Sequence, residues 1–261
     1  MHAGPLWLVG CGNMGGAMLR RWLAAGLDSA DVTVVTRSGA GVPDGIRSVQ
    51  RPPPGAEPAT VVLAVKPQQL DTVAPMLATV QPALLVSILA GVEVAALAQR
   101  IPARAIVRAM PNLPVAIGKG VIALHTRDAH ARGAAEALAV PLGHQEWIAD
   151  EAQFDLVTAL AGCGPGFVFR FADALATAGE ALGLPADQAL RLALATIEGS
   201  ALMAAAADVS PATLADRVAS PGGSTRQGLN VLDRDGALVR LLTDTLAASA
   251  ARNAEMAAAA R

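Results

Sequence analysis

Leu6-Trp7-Leu8-Val9-Gly10-Cys11-Gly12-Asn13-Met14-Gly15 is the stretch that decides the fold of this 261-residue chain. Four apolar residues run into a G-x-G-x-x-G turn, and the helical pattern Ala17-Met18-Leu19-Arg20-Arg21-Trp22-Leu23 follows at once. Strand, turn and helix in that order predict a dinucleotide-binding start. Gly10 permits the tight turn, Gly12 lets the backbone approach a pyrophosphate, and Gly15 lets the helix lie close on the sheet. Asn13 and Met14 belong to the same turn and are candidate cofactor contacts. The glycine spacing alone is weak; its place between a strand and a helix gives it weight.

About 20 residues further on, an acidic residue would hold the ribose hydroxyls of NAD. The second apolar run ends instead in Thr36-Arg37-Ser38, an arginine flanked by hydroxyls. That trio suits a 2′-phosphate and favours NADPH, with NADH as the alternative; the plain reading is an arginine at the end of an exposed strand. Val65-Lys66-Pro67-Gln68 follows the third run and places Lys66 at the carboxyl edge of the sheet, either on ribose or phosphate or simply solvated. Met110-Pro111-Asn112 takes the same edge after the fifth run, where Asn112 could meet the nicotinamide amide or cap a turn.

Working outward, short apolar runs alternate with amphipathic helical patterns: Leu6-Val9, Val32-Thr36, Thr60-Val65, Leu84-Ile88, Ala105-Ala109 and Val121-Leu124, with Gln145-Ile148 as an edge. This predicts an α/β Rossmann domain with a mostly parallel sheet over residues 1–150. Arg51-Pro52-Pro53-Pro54-Gly55 marks a surface loop, since successive prolines cannot join a ladder. After about Asp150 the strand signal stops, and residues 151–261 read as an all-α domain rich in alanine and leucine. Its punctuation is clear: Gly183 suits a position just past a helix end with Pro185 beyond, and Ser210 suits an N-cap with Pro211 at the first helical position. Ala237 to Arg261 reads as one long helix, more apolar than a monomer of this size needs. A second subunit or a frayed end would both account for its last ten residues.

Composition narrows the function. A net charge of −2 and 53% hydrophobic residues, without a basic patch, argue against nucleic acid and for a small-molecule partner. Cys11 and Cys163 each sit between glycines rather than in a ligand or disulfide pattern, which fits a reducing cytoplasm, and no metal-ligand spacing is present. The first arginine comes only at Arg20, after the glycine-rich turn, so a secretory signal is not expected. The uncharged run from Thr72 to Val92 is interrupted by Pro75, Gln81 and Pro82, so it reads as a loop and a buried strand rather than a membrane span.

Ser220-Pro221-Gly222-Gly223-Ser224-Thr225 carries the remaining signal. A glycine-rich turn entering a helix gathers several backbone amides at the positive end of the helix dipole, a place for a carboxylate or phosphate. A plain helix-connecting turn is the competing reading. The surroundings are chemically bare: no lysine lies beyond Lys119, no histidine beyond His144, and the chain has no tyrosine.

Together these motifs resemble the pyrroline-5-carboxylate reductase family over nearly the whole chain. The resemblance rests on Gly10 to Gly15, Val65-Lys66-Pro67-Gln68, Arg108-Ala109-Met110-Pro111-Asn112 with Pro114, Gly162, Gly164-Pro165, and Ser220-Pro221-Gly222-Gly223 with Thr225. It implies reduction of a cyclic imino acid to L-proline, a helical C-terminal domain that builds a homodimer, and assembly of dimers into a decamer. Substrate contacts would fall on Gly164, Pro165, Ser220, Gly222, Gly223, Ser224 and Thr225, with Thr225 as the donor to the imine nitrogen. Where the family usually has Ser-Gly-Ser-Gly-Pro-Ala-Tyr, this chain has Ala161-Gly162-Cys163-Gly164-Pro165-Gly166-Phe167, and Leu113 replaces a usual threonine. Two other readings stay open: a reductase of another cyclic imino acid, and an NADPH-binding protein without turnover. A 3-hydroxyacid dehydrogenase would need a lysine in the helical domain, and there is none.

Overall fold

The computed structural model describes residues 4–53, 55 and 58–259. Eight strands, β1 (Leu6–Val9), β2 (Val32–Val35), β3 (Arg47–Val49), β4 (Thr60–Leu63), β5 (Leu84–Ser87), β6 (Ala105–Pro111), β7 (Gly120–Thr126) and β8 (Gly143–Trp147), form one sheet in the order β3-β2-β1-β4-β5-β6-β7-β8. Every neighbouring pair is parallel except β6 and β7, where Ala109 faces Leu124. The chain reverses its strand order between β1 and β4, which pair Leu6 with Thr60 and Val9 with Leu63. A doubly wound sheet opens its ligand crevice at that switch point, outside the carboxyl ends of the strands.

The helices are α1 (Asn13–Ala24), α2 (Leu70–Val73), α3 (Val94–Ala98), α4 (Arg132–Ala139), α5 (Phe154–Val157), α6 (Gly164–Ala181), α7 (Ala186–Ala206), α8 (Pro211–Val218), α9 (Ser224–Asp233) and α10 (Ala237–Ala259). Because side chains alternate across a strand, β1 feeds two cores at once. Leu6 and Leu8 pack with Val34, Val62 and the α1 residues Met18, Leu19 and Trp22. Trp7 and Val9 pack on the other face with Val61, Leu63, Leu85 and Leu97. The Trp22 indole nitrogen is buried yet satisfied, donating to the Leu138 carbonyl at 2.7 Å.

Several expectations shift in detail. β3 is a strand that the sequence did not announce, since Arg47 and Ser48 are exposed and no apolar run marks them. β6 and β7 are longer than expected because they pair antiparallel along their length. Between β4 and β5 no single helix forms: 3₁₀ turns at Pro67–Gln69 and Ala74–Leu77 flank the four-residue α2, and Pro75 breaks the run. The Thr72-to-Val92 run holds the Ala74–Leu77 turn and the buried β5. Pro54 in the proline loop lies outside the described residues.

Contacts divide the chain into two compact units, one of Met1–Pro165 with Ala248–Arg261 and one of Gly166–Ala247. In the first, Phe154 is fully buried against Met110 and Ala123, and Asn253 near the end of α10 donates to the Asp155 carbonyl at 3.2 Å. In the second, Ser210 caps α8 by accepting from the Thr213 amide at 3.2 Å, with Pro211 first in the helix. Gly183 adopts φ +107, the left-handed position that lets the Leu184 amide reach the Gly179 carbonyl at 3.1 Å and close α6.

Candidate active site

At the switch point, Gly10 has φ +93, and a Cβ there would stand 2.7 Å from the Ala64 carbonyl oxygen, so only glycine fits. Gly15 is equally constrained, with a Cβ position 2.9 Å from both the Ala64 Cβ and the Gly10 oxygen. Gly12 differs. It precedes α1 as the N-cap, no side chain caps that helix, and nothing lies within 4 Å of where its Cβ would be. The first amides of α1, from Asn13, Met14 and Gly15, therefore open onto empty space beside a missing side chain. That is the shape a pyrophosphate requires.

This mouth belongs to a cleft of about 710 Å³ lined by Gly10, Gly12 and Asn13 together with Thr36, Arg37, Ser38, Val65 and Lys66. Most of the cofactor residues expected after β1, β2 and β4 thus meet in one place, while Met14, Gly15 and Pro67 do not line it. Arg20 from the second turn of α1, Gln50 after β3 and Gln69 line it too, and sequence reasoning passed over them. Arg20 was detectable as a cation one turn past the glycine loop. Cys11 fastens the cleft wall: its thiol donates to the Gly41 carbonyl at 3.3 Å, and burial pushes its pKa up, with Arg20 pulling it partly back.

Met110 and Pro111 end β6, Asn112 follows it, and none of the three lines that cleft. Asn112 is buried and bonded twice, accepting from the Val121 amide at 2.8 Å and donating to the Ala161 carbonyl at 2.9 Å. It ties the antiparallel pair to the Thr158–Gly162 segment, which winds as a π-helix with the Cys163 amide on the Thr158 carbonyl at 2.9 Å. Gly164 and Pro165 then open α6. Nearby lies a buried charge cluster that the sequence did not reveal. The Arg108 guanidinium is 3.4 Å from Glu151, stacks 4.3 Å over the Phe154 ring, and is held below its usual pKa by burial, with Glu151 opposing that shift. Glu151 also accepts from the Val94 amide at 2.7 Å and sits 3.8 Å from His125.

In the second unit, α8 hands over to α9 through the Ser220 turn. Gly222 is left-handed at φ +74, the Gly223 amide closes the turn on the Ser220 carbonyl at 3.0 Å, and Gly223 is the N-cap of α9 without a side-chain bond. Ser220, Gly222, Ser224 and Thr225 are exposed. A Cβ at Gly223 would come within 2.7 Å of the Ser220 hydroxyl oxygen. The amides at the start of this ten-residue helix are consequently uncapped and reachable, the arrangement expected of an anion cradle. Among the described residues, no three His, Cys, Asp or Glu side chains gather as a metal ligand set.

Comparison with known proteins completes the description. Residues 151–256 match the family model described as pyrroline-5-carboxylate reductase dimerisation. Residues 6–91 match the model described as NADP oxidoreductase, coenzyme F420-dependent. The chain is 38% identical over 209 residues to the pyrroline-5-carboxylate reductase of Pseudomonas aeruginosa, covering 77% of this chain and 76% of that one. Among solved structures it is similar to a pyrroline-5-carboxylate reductase from Coxiella burnetii, with a TM-score of 0.86 and 31% identity over 97% of this chain and 98% of that one. It is also similar to the Plasmodium falciparum pyrroline carboxylate reductase with NADP bound, with a TM-score of 0.81 and 25% identity over 98% and 99%.

Proposed function

Because the chain belongs to the pyrroline-5-carboxylate reductase family, we infer that it reduces 1-pyrroline-5-carboxylate to L-proline, with NADPH supplying the hydride to the C=N carbon. The observation that carries the reading at residue level is the uncapped start of α9, in a stretch beyond residue 150 that holds no lysine, histidine or tyrosine. An anion cradle suits the substrate carboxylate, and a protonated cyclic imine suits the bareness around it. Such an imine already carries the charge that attracts hydride, whereas a ketone would build an alkoxide and demand a strong general acid.

Ser220, Gly222, Gly223 and Ser224 hold the carboxylate through turn and helix-start amides, and the Thr225 hydroxyl donates to the ring nitrogen. Gly164 and Pro165 shape the substrate loop. Gly10, Gly12, Asn13, Met14 and Gly15 hold the pyrophosphate; Thr36, Arg37 and Ser38 take the 2′-phosphate that sets NADPH above NADH. Val65, Lys66 and Pro67 border the dinucleotide beside the switch-point cleft, and Met110, Pro111 and Asn112, outside it at the end of β6, back the nicotinamide end. Residues 1–150 form the dinucleotide-binding domain and residues 151–261 the substrate and dimerisation domain, a division supported by the dimerisation match beginning at residue 151.

The chain works as a cytoplasmic homodimer, and dimers assemble further into a decamer. Among the described residues, two helical runs, Glu151–Ala181 and Ala186–Ala206, are long and apolar enough to cross a membrane by length and composition alone. Their exposed apolar faces are assigned here to subunit contact. A second reading, reduction of another cyclic imino acid, is favoured by Ala161, Cys163 and Phe167, which remove hydroxyls usual in the substrate loop. Assay of the Thr225→Ala protein with NADPH and pyrroline-5-carboxylate tests the mechanism: kcat/KM falls about 10- to 100-fold. Unchanged turnover and affinity would remove Thr225 from it. A screen of five- and six-membered cyclic imino acids decides the ring.

A further inference from the structure

We propose that Arg226 is a positioning residue for the carboxylate cradle, acting through Asp216 and the Ala219 carbonyl; this rests on the carboxylate reading of the Ser220 turn. The turn has little else to hold its shape. Ser220, Pro221, Gly222 and Ser224 are exposed, two adjacent glycines give the backbone wide freedom, and one internal bond, Gly223 amide to Ser220 carbonyl, closes it. An amide cradle binds an anion well only if its donors are already aimed when the anion arrives.

Arg226 supplies the missing restraint. It lies in the first turn of α9, and its Nη2 stands 2.7 Å from Asp216 Oδ1 near the end of α8. The same nitrogen is 3.4 Å from the Ala219 carbonyl, the last group before the turn begins. One guanidinium therefore spans both edges of the loop, joining the helix that enters it to the helix that leaves. Ala219 is itself buried, which anchors the entry edge. The position is informative because a cation in a first helical turn opposes the helix dipole. A lone surface arginine there gains nothing, whereas one tied to Asp216 and Ala219 fixes the spacing of the cradle.

A partly exposed ion pair contributes little to overall stability, so the effect belongs in substrate affinity. Full-length protein is assayed at saturating NADPH with pyrroline-5-carboxylate and with 1-pyrroline, the same ring without the carboxylate. Arg226→Gln is expected to raise KM for the carboxylated imine about five-fold, and Asp216→Asn about two- to three-fold, with kcat and the 1-pyrroline KM unchanged. Arg226→Lys, which keeps the ion pair, should recover most of the loss. If 1-pyrroline turns over too slowly, competitive inhibition by L-proline against pyrrolidine reads the same discrimination.

An equal loss on both ring compounds would mean that Arg226 only supports the fold, and the proposal would fail. A lower KM in Asp216→Asn would mean that the freed guanidinium touches substrate itself, and an unchanged one that the pair does nothing; either overturns it. Gly223→Ala separates this from the parent reading. If that variant leaves the carboxylate discrimination intact, the cradle assignment fails and Arg226 with it. If it erases the discrimination while Arg226→Gln does not, the cradle stands and only the positioning role falls.

Discussion

The sheet unit and the helical unit bury different things. In the sheet unit Leu6, Leu8, Leu19, Leu63, Leu85 and Phe154 are fully enclosed, on both faces of the sheet. Among the described residues of Gly166–Ala247, the enclosed apolar side chains are Ala172, Ala189, Ala193 and Ala219, all of them alanine. Phe169, Phe171, Leu202, Met203 and Leu241 meanwhile stand more than half exposed. A buried leucine contributes about 1.5–3 kcal/mol and an alanine far less, so the first unit carries its own core and the second presents one. Helices as apolar as α6 and α7 need their large side chains covered, and the dimerisation match over 151–256 falls on this region.

The largest expected effect comes from Leu85→Ala, which empties a site enclosed on every side. It should cost about 2–5 kcal/mol, measured by denaturant unfolding, at any protein concentration. Phe171→Glu probes the other unit. If a second copy covers α6, the variant weakens association by about 2 kcal/mol or more, roughly thirty-fold. Analytical ultracentrifugation would then show monomer, and the concentration dependence of the melting temperature would disappear. A variant that remains as associated as the parent would break the contrast between the units.

Smaller effects belong to the cofactor cleft. Arg37→Gln should raise the KM for NADPH about tenfold while moving that for NADH less than about two-fold. Equal changes would assign Arg37 no part in choosing between the two. Smallest is Cys11. Burial raises its folded pKa, so its contribution is present below the ordinary thiol pKa and is lost as pH rises through the raised value. Melting temperatures at pH 8 and pH 10 should fall less in Cys11→Ala than in the parent, by under about 1 kcal/mol in stability.

Much of this was legible in the chain because the informative residues act locally. Leu6–Val9 appears as a strand with the bounds read from its apolar run, and Gly10 and Gly15 each meet a steric demand set by Gly10 itself or by Ala64 at the end of the adjacent strand. The caps at Ser210 and Gly183 are local in the same sense. What escaped depends on partners distant in sequence. Arg108, His125 and Glu151 come together only when β6, β7 and the α5 approach are assembled, and nothing in their separate contexts marks them as buried. Asn112 left two roles open, and its bonds to Val121 and Ala161 could not be read before β7 was known to run antiparallel. The π-winding of Thr158–Gly162 carries no periodic signature over so few residues.

The far end of α10 has an implication for biosynthesis. Ala257 lies so close to Gly91 that a Cβ at Gly91 would sit 2.8 Å from it, and Gly91 is left-handed at φ +73. The loop after β5 is thus finished by a segment made long after the strands beside it. Earlier strands can pair while translation continues, but that loop stays unsealed until α10 has emerged.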